Sequence, residues 1–243
     1  MLKKALPLAN MRPPKALTVA AFGAKGTGKT AWVKQWIQAA NPARLMIWDF
    51  KHDPPLDGMG KPYSALPALI AAAKAPAFKL RYLVNHETDI HAQFDLFCRC
   101  AWLAGNVTIF VDELPEVTKA NKAPPAWRKC VNVGRLYRGA DGQEKSITII
   151  GAGQRPEECD KSFVTNADII HTGRIRSVAG AKDLAELIGC DFRVLMALPD
   201  LHWLEKRAES VKFDQGVLSF GNKKTIAKKA LSAPPKSTNF VDL

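Results

Sequence analysis

The residues richest in chemical potential in this 243-residue chain are Gly23-Ala-Lys-Gly-Thr-Gly-Lys-Thr30. Glycines let the backbone turn its N–H groups inward around an anion, and Lys29 and Thr30 complete the spacing G-x-x-x-x-G-K-[ST]. A lysine at that position bridges the β- and γ-phosphates of a nucleoside triphosphate, and the neighbouring hydroxyl ligates Mg²⁺. Gly23, Ala24, Lys25, Gly26, Thr27, Gly28, Lys29 and Thr30 are therefore expected to cradle ATP, with Thr30 on the metal. The flanks agree with this reading. Residues 17–22 are an apolar, strand-like run, and in residues 31–40 Trp32, Val33, Trp36 and Ile37 share one helical face. A helix starting at the loop adds its positive dipole end to the anion site.

Two further groups could complete a hydrolytic site. Residues 106–111, Asn-Val-Thr-Ile-Phe-Val, read as a buried parallel strand and end in Asp112-Glu113. Asp112 is expected to support Mg²⁺ and the nucleotide, and Glu113 to polarise the attacking water. The run 146–151 leads into Gly151-Ala-Gly-Gln154-Arg155-Pro156, where the Gln154 amide would touch the γ-phosphate or the water.

These groups need a scaffold that brings strand ends to one rim. Apolar runs at 44–49, 78–84 and 168–171 supply more strands, and helical patterns occupy 63–74, 89–103 and 126–137. Strands alternating with helices predict an α/β fold, a doubly wound, mainly parallel sheet with helices on both faces. Glu113 directly after Asp112 resembles the additional-strand class of P-loop ATPases, which implies that another strand separates the loop strand from the Asp112 strand. Beyond it, helices at 179–188 and 191–197 and a hairpin with arms 211–213 and 217–220 around Asp214-Gln-Gly216 are expected to pack on the core. The domain is expected over 15–220, its core over about 15–190 and a helical and hairpin part over about 191–220, with a basic leader at 1–14 and a basic flexible tail at 221–243.

Composition narrows the classes. Apolar residues make up 47% and charged ones 24%, ordinary for a soluble globular protein, and no run of 18 apolar residues predicts a membrane span. The N-terminal residues lack a secretory pattern, and five scattered cysteines suit reduced thiols in a cytosol; Cys98 and Cys100 lack the partners of a zinc site. The net charge of +12 is concentrated in the flanks, which suits contact with nucleic acid or simple solubility. In the core the basic segment 118–129, with Arg135 and Arg138 beyond it, follows the carboxylates directly. Lys119, Lys122, Arg128, Lys129, Arg135 and Arg138 are candidate DNA-phosphate contacts, or else a solvated helix face.

In this order the motifs resemble the FtsK–HerA superfamily of DNA-translocating ATPases over roughly residues 15–190. The resemblance rests on the loop, on Asp49-Phe50-Lys51 after the first helix, on Asp112-Glu113, on Gln154-Arg155-Pro156, and on Arg174 after the next strand. It implies a ring, a homohexamer, with Lys29, Glu113 and Gln154 catalytic and Arg174 acting as a finger towards the neighbouring subunit; Arg155 and Arg176 are rivals for that role. Membrane segments, a winged helix and an N-terminal barrel are not found in the chain. Its size instead resembles the genome-packaging ATPases of internal-membrane, double-jelly-roll viruses (tectivirus type). That implies double-stranded DNA and capsid or portal-vertex proteins as partners, ATP and Mg²⁺ as cofactors, and work in the host cytoplasm or at the virion packaging vertex. A filamentous-phage assembly ATPase similar to zonula occludens toxin, a mobile-element translocase, and a nucleotide-dependent switch or kinase remain alternatives.

Overall fold

The computed structural model describes residues 16–220, so the expected leader and tail lie outside the described residues. In chain order the elements are β1 (Thr18–Phe22), α1 (Lys29–Ala40), β2 (Arg44–Asp49), β3 (Lys61–Tyr63), α2 (Leu66–Ala72), β4 (Phe78–Leu83), α3 (Ile90–Ala104) and β5 (Val107–Val111). They continue with α4 (Pro125–Val133), β6 (Tyr137–Arg138), β7 (Glu144–Lys145), β8 (Ile147–Gly153), α5 (Lys161–Thr165), β9 (Ile169–Thr172), α6 (Val178–Ile188), α7 (Phe192–Ala197), β10 (His202–Arg207) and β11 (Phe213–Val217).

Nine strands form one sheet in the order β11-β10-β9-β1-β8-β5-β2-β4-β3. From β9 to β3 every pairing is parallel, and β10 and β11 join antiparallel at the far edge. As expected, a strand (β8) separates β1 from β5, with Val19 opposite Ile150 and Ile109 opposite Ile149. Parallel strands covered on both faces must be apolar throughout, and β1 and β5 are buried at every position.

Alternation along each strand sends side chains to two unequal layers. Val19, Ala21, Leu45, Ile47, Phe110 and Ile150 share one face with Val33 and Ile37 of α1. Burying each of those two helix side chains contributes roughly 1.5–3 kcal/mol. Ala20, Phe22, Met46 and Trp48 share the other face with residues of α2 to α7. Trp48 meets Tyr82, Phe94 and Phe97 there, at centroid distances of 5.4, 5.1 and 5.4 Å.

Some expected boundaries move. The helix expected over 63–74 begins only at Leu66, with Pro67 in its first turn, and Tyr63 belongs to the edge strand β3. The helix expected over 126–137 ends at Val133 because Gly134 follows it, and Tyr137 pairs with Lys145 in a short ribbon. The C-terminal hairpin differs from the expected one. Its arms are β10 and β11, and Asp214, Gln215 and Gly216 lie within β11 opposite Glu205, Leu204 and Trp203. Gly216 marks close packing there: a Cβ at that position would come within 2.5 Å of the Trp203 ring.

Candidate ATP-hydrolysis site

Residues 23–28 leave β1 and wrap against the ends of its neighbours. Gly23 N donates to Gly153 O (3.3 Å), and Ala24 N donates to Arg174 O (2.8 Å). Gly26 and Gly28 hold φ at 86° and 90°, a region where a side chain is strained. Gly28 is also crowded: a Cβ there would meet Leu218 at 2.6 Å and Leu201 at 3.1 Å. The C-terminal part of the chain thus packs onto the loop. No side chain caps α1, so the amides of its first turn remain available to an anion.

The two carboxylates stand at the same rim, just beyond β5. Asp112 is 2% exposed, and its Oδ2 atom is buried without a hydrogen-bond partner. Burial, with the Glu113 charge second, pushes its carboxyl up to about 6. Glu113 adopts φ 51°, ψ 55°, a left-handed backbone that costs a non-glycine residue about 1–2 kcal/mol. That conformation accompanies a dense set of contacts. Glu113 Oε1 accepts from Lys51 Nζ and from Gln154 Nε2 (3.1 Å), and lies 4.0 Å from Lys29 Nζ. Burial alone would raise the Glu113 carboxyl, but Lys51, Lys29 and Gln154 outweigh it and hold the group below its ordinary value. Glu113 is thus kept ionised beside the loop lysine, the state a base needs.

Lys51 joins the candidate site through a contact that local sequence does not predict. Asp49-Phe50-Lys51 carries part of the family resemblance, and the Lys51 ammonium meets Glu113 across 62 residues of chain. Its approach is shaped by Asp49, which is fully buried. Asp49 Oδ1 accepts from Asp53 N (3.0 Å) and Oδ2 lies 3.5 Å from Arg81 Nε, while Arg81 Nη1 reaches Asp57 (2.5 Å). These contacts fix the turn after β2 that carries Lys51.

The arginines separate. The Arg174 backbone carbonyl accepts from the loop, and its guanidinium pairs with Asp200 of the same chain (2.6 Å). Arg155 pairs with Glu158 (2.7 Å), and Arg176 is exposed without an ion pair among the described residues. The basic segment also divides. Lys119 donates to Pro115 O and Arg128 to Asn121 O, while Lys122 is exposed. Lys129 lies over the Trp102 ring (4.2 Å). Arg135 lies at the opposite rim, its Nη2 bonded to both Asp168 oxygens (2.8 and 2.7 Å), and Arg138 lies in the β6–β7 ribbon. The six candidates therefore do not form one surface. Cys98 and Cys100 are both buried in α3, and among the described residues no three His, Cys, Asp or Glu side chains group to hold a metal by themselves.

A divalent cation nevertheless fits the loop rim. An orphaned, buried carboxylate oxygen on Asp112 is an acceptor in want of a positive partner, and hard oxygen donors from Asp112 and Thr30 suit Mg²⁺ shared with phosphates.

A glycine loop opening α1, a carboxylate pair two strands away and a glutamine just past the end of the strand between them define a P-loop ATPase. The model of the ATPase family associated with various cellular activities (AAA) matches residues 19–172, more than half of the chain, and the chain belongs to that family. Protein P9 of Pseudoalteromonas phage PM2 is 22% identical over 193 residues, 75% of this chain and 83% of that protein. Among solved structures, the genome packaging NTPase B204 of Sulfolobus turreted icosahedral virus 2 matches in its ATP-gammaS complex with a TM-score of 0.64. The match is 16% identical and covers 83% of this chain and 97% of that one. The sulfate complex of the same NTPase gives 0.63 and 16%, covering 84% and 96%. At these identities the structural likeness is one of fold.

Proposed function

We propose that this chain is an ATP-driven translocase of double-stranded DNA of the FtsK–HerA type, and that its work is to move a viral genome into a preformed capsid. The observation that carries the reading is Glu113, held in a strained backbone and bonded at once to Lys51 and Gln154 beside Lys29. A switch protein needs only the phosphate cradle; a base kept ionised and tied to a glutamine just past the end of the adjacent strand suits repeated hydrolysis. The genome packaging NTPase named above supports the cargo in this reading, and the +12 charge suits a polyanion.

In the proposed mechanism the loop amides beyond Ala24, together with Lys29, hold the β- and γ-phosphates, and Thr30 and Asp112 would hold Mg²⁺, which would supply positive charge to the phosphate oxygens. Gln154 orients a water whose proton passes to Glu113 as its oxygen bonds to the γ-phosphorus and the bond to the bridging oxygen breaks, releasing ADP and phosphate. Subunits form a ring in which an arginine from the neighbour meets the transition-state charge. Because Arg174 is engaged with Asp200, its release would have to accompany ring assembly; Arg176 needs no release. ATP hydrolysis by the full chain, with and without long duplex DNA, tests the reading against Lys29→Ala and Glu113→Gln. Stimulation by DNA that both substitutions abolish is the expected result. Hydrolysis indifferent to DNA, in the presence and absence of assembled empty capsids, would exclude a motor.

A further inference from the structure

The chain segments that leave the catalytic strands β5 and β8 meet again away from the nucleotide. After Glu113 the chain passes through the tight turn at residues 119–122, where Lys119 and Lys122 exchange backbone hydrogen bonds (2.7 and 3.1 Å), and enters α4. After Gln154 it passes Arg155 and Pro156 and enters α5. Three contacts staple these segments together. Lys161 N donates to Ala120 O (3.2 Å), Asp160 N to Thr118 Oγ1 (3.3 Å), and the Trp127 indole N–H to Asp160 Oδ2 (3.0 Å). Thr118, Trp127 and Asp160 are all buried.

Above the staple lies a cleft of about 380 Å³ lined by Asn121, Arg128, Asn132, Asp160, Lys161 and Ser162. Its chemistry is polar and cationic. Asp160 is committed to Trp127 and to Ser162 N (3.1 Å), and Glu158 pairs with Arg155, while Glu116 and Glu157 do not line the cleft. Arg128 and Lys161 are exposed and form no ion pair among the described residues. Exposed cations and polar side chains over a buried, hydrogen-bonded joint match a phosphodiester backbone and give an apolar ligand little to hold.

We infer that this cleft seats the backbone phosphates of DNA and that the Asp160 staple makes it move as one body with Glu113 and Gln154. The inference rests on the motor reading and adds Lys161, Asn132 and the staple to it. The segment after Glu113 and the segment after Gln154 would then report the state of the nucleotide to the DNA through a shared hydrogen-bonded joint rather than through a single loop.

The test uses the full chain and a fluorescent duplex, with anisotropy read at several salt concentrations without ATP hydrolysis. Replacing Arg128 and Lys161 together with alanine should lower the slope of log affinity against log salt by about 2, roughly 0.9 for each phosphate that is no longer neutralised. Lys74→Ala, at the far end of α2, should leave the slope unchanged, and melting curves establish that each variant is folded. For the staple, Trp127→Phe and Thr118→Val should reduce stimulation of hydrolysis by DNA at least several-fold while duplex affinity holds. A double variant with the wild-type slope would overturn the cleft and leave the motor reading intact. Full stimulation in both staple variants would overturn the coupling. A wild-type chain that binds no duplex would remove the reading and the inference together.

Discussion

Asp112 and Asp168 are both buried aspartates at the ends of parallel strands, and they stand at opposite rims of the sheet. Asp168, just before β9, is satisfied: it accepts from Thr18 N (2.8 Å) and from Arg135 through both oxygens. Asp112, just after β5, keeps one oxygen buried without a partner and its carboxyl pushed up to about 6. At these two positions the same side chain is structural where the fold completes its hydrogen bonds and chemical where the fold withholds one beside the phosphate loop. The rim of Asp112 also carries the left-handed Glu113 and the uncapped start of α1. Left-handed backbone also occurs at Asn41 and Asn106 by the other rim, but beside β5 it falls on the residue next to an unmet carboxylate oxygen.

The largest test of this contrast is at Glu113. Glu113→Gln keeps the size and the Gln154 neighbour but removes the base, and turnover should fall by about 10²- to 10⁴-fold while ATP still binds. Lys51→Ala should lose less, because Lys29 and Gln154 still support the carboxylate, and its pH–rate profile should show the basic group titrating at higher pH. Single-turnover hydrolysis across pH separates the two variants. A Glu113→Gln enzyme with undiminished turnover would move the chemistry away from this rim.

Asp112 offers a smaller effect, opposite in sign for stability. Its carboxyl rises from an unfolded value near 3.8 to about 6, so the folded state holds the proton more tightly. The stability this contributes is full below about pH 4 and is lost as pH rises through 6, close to 3 kcal/mol at about 1.4 kcal/mol per unit. Asn cannot ionise. Without Mg²⁺ or nucleotide, Asp112→Asn should therefore match the wild type near pH 4 and melt at a higher temperature at pH 7. Adding Mg²⁺ and ATP should raise the wild-type melting temperature more than that of the variant. Melts in chelator across this pH range decide it; a variant less stable than the wild type at pH 7 would mean that Asp112 is satisfied in solution.

The same division explains what could be read from the sequence. The phosphate loop, Asp112-Glu113 and Gln154 are legible because each is a short contiguous motif at the end of an apolar run, and the β8 strand between β1 and β5 followed from the resemblance that Asp112-Glu113 carries. Lys51 on Glu113 and Leu218 on Gly28 are pairings across long stretches of chain, set by tertiary packing that no local pattern encodes. Gly216 misled because glycine marks either a turn or a close approach, and only the Trp203 ring distinguishes them. Arg135 shows a related limit of local reading. In sequence it extends a basic run, and only the fold supplies Asp168 as its partner.

That last pair gives the smallest predicted effect and the sharpest contrast with the catalytic rim. Arg135→Ala removes a half-exposed guanidinium, and Asp168 keeps its bond from Thr18 N, so the cost in stability should be only about 1 kcal/mol. Hydrolysis should stay near the wild-type rate, since the change lies at the opposite end of the sheet from the loop. The salt dependence of duplex binding should also stay unchanged, because this arginine's charge is already committed to Asp168. Denaturant melts, turnover and binding measured on the one variant would show whether satisfied charge at this rim is purely structural. A loss of duplex affinity would instead extend the nucleic-acid surface from the α4–α5 cleft to the far rim, and would mean that Arg135 exchanges its aspartate for a phosphate.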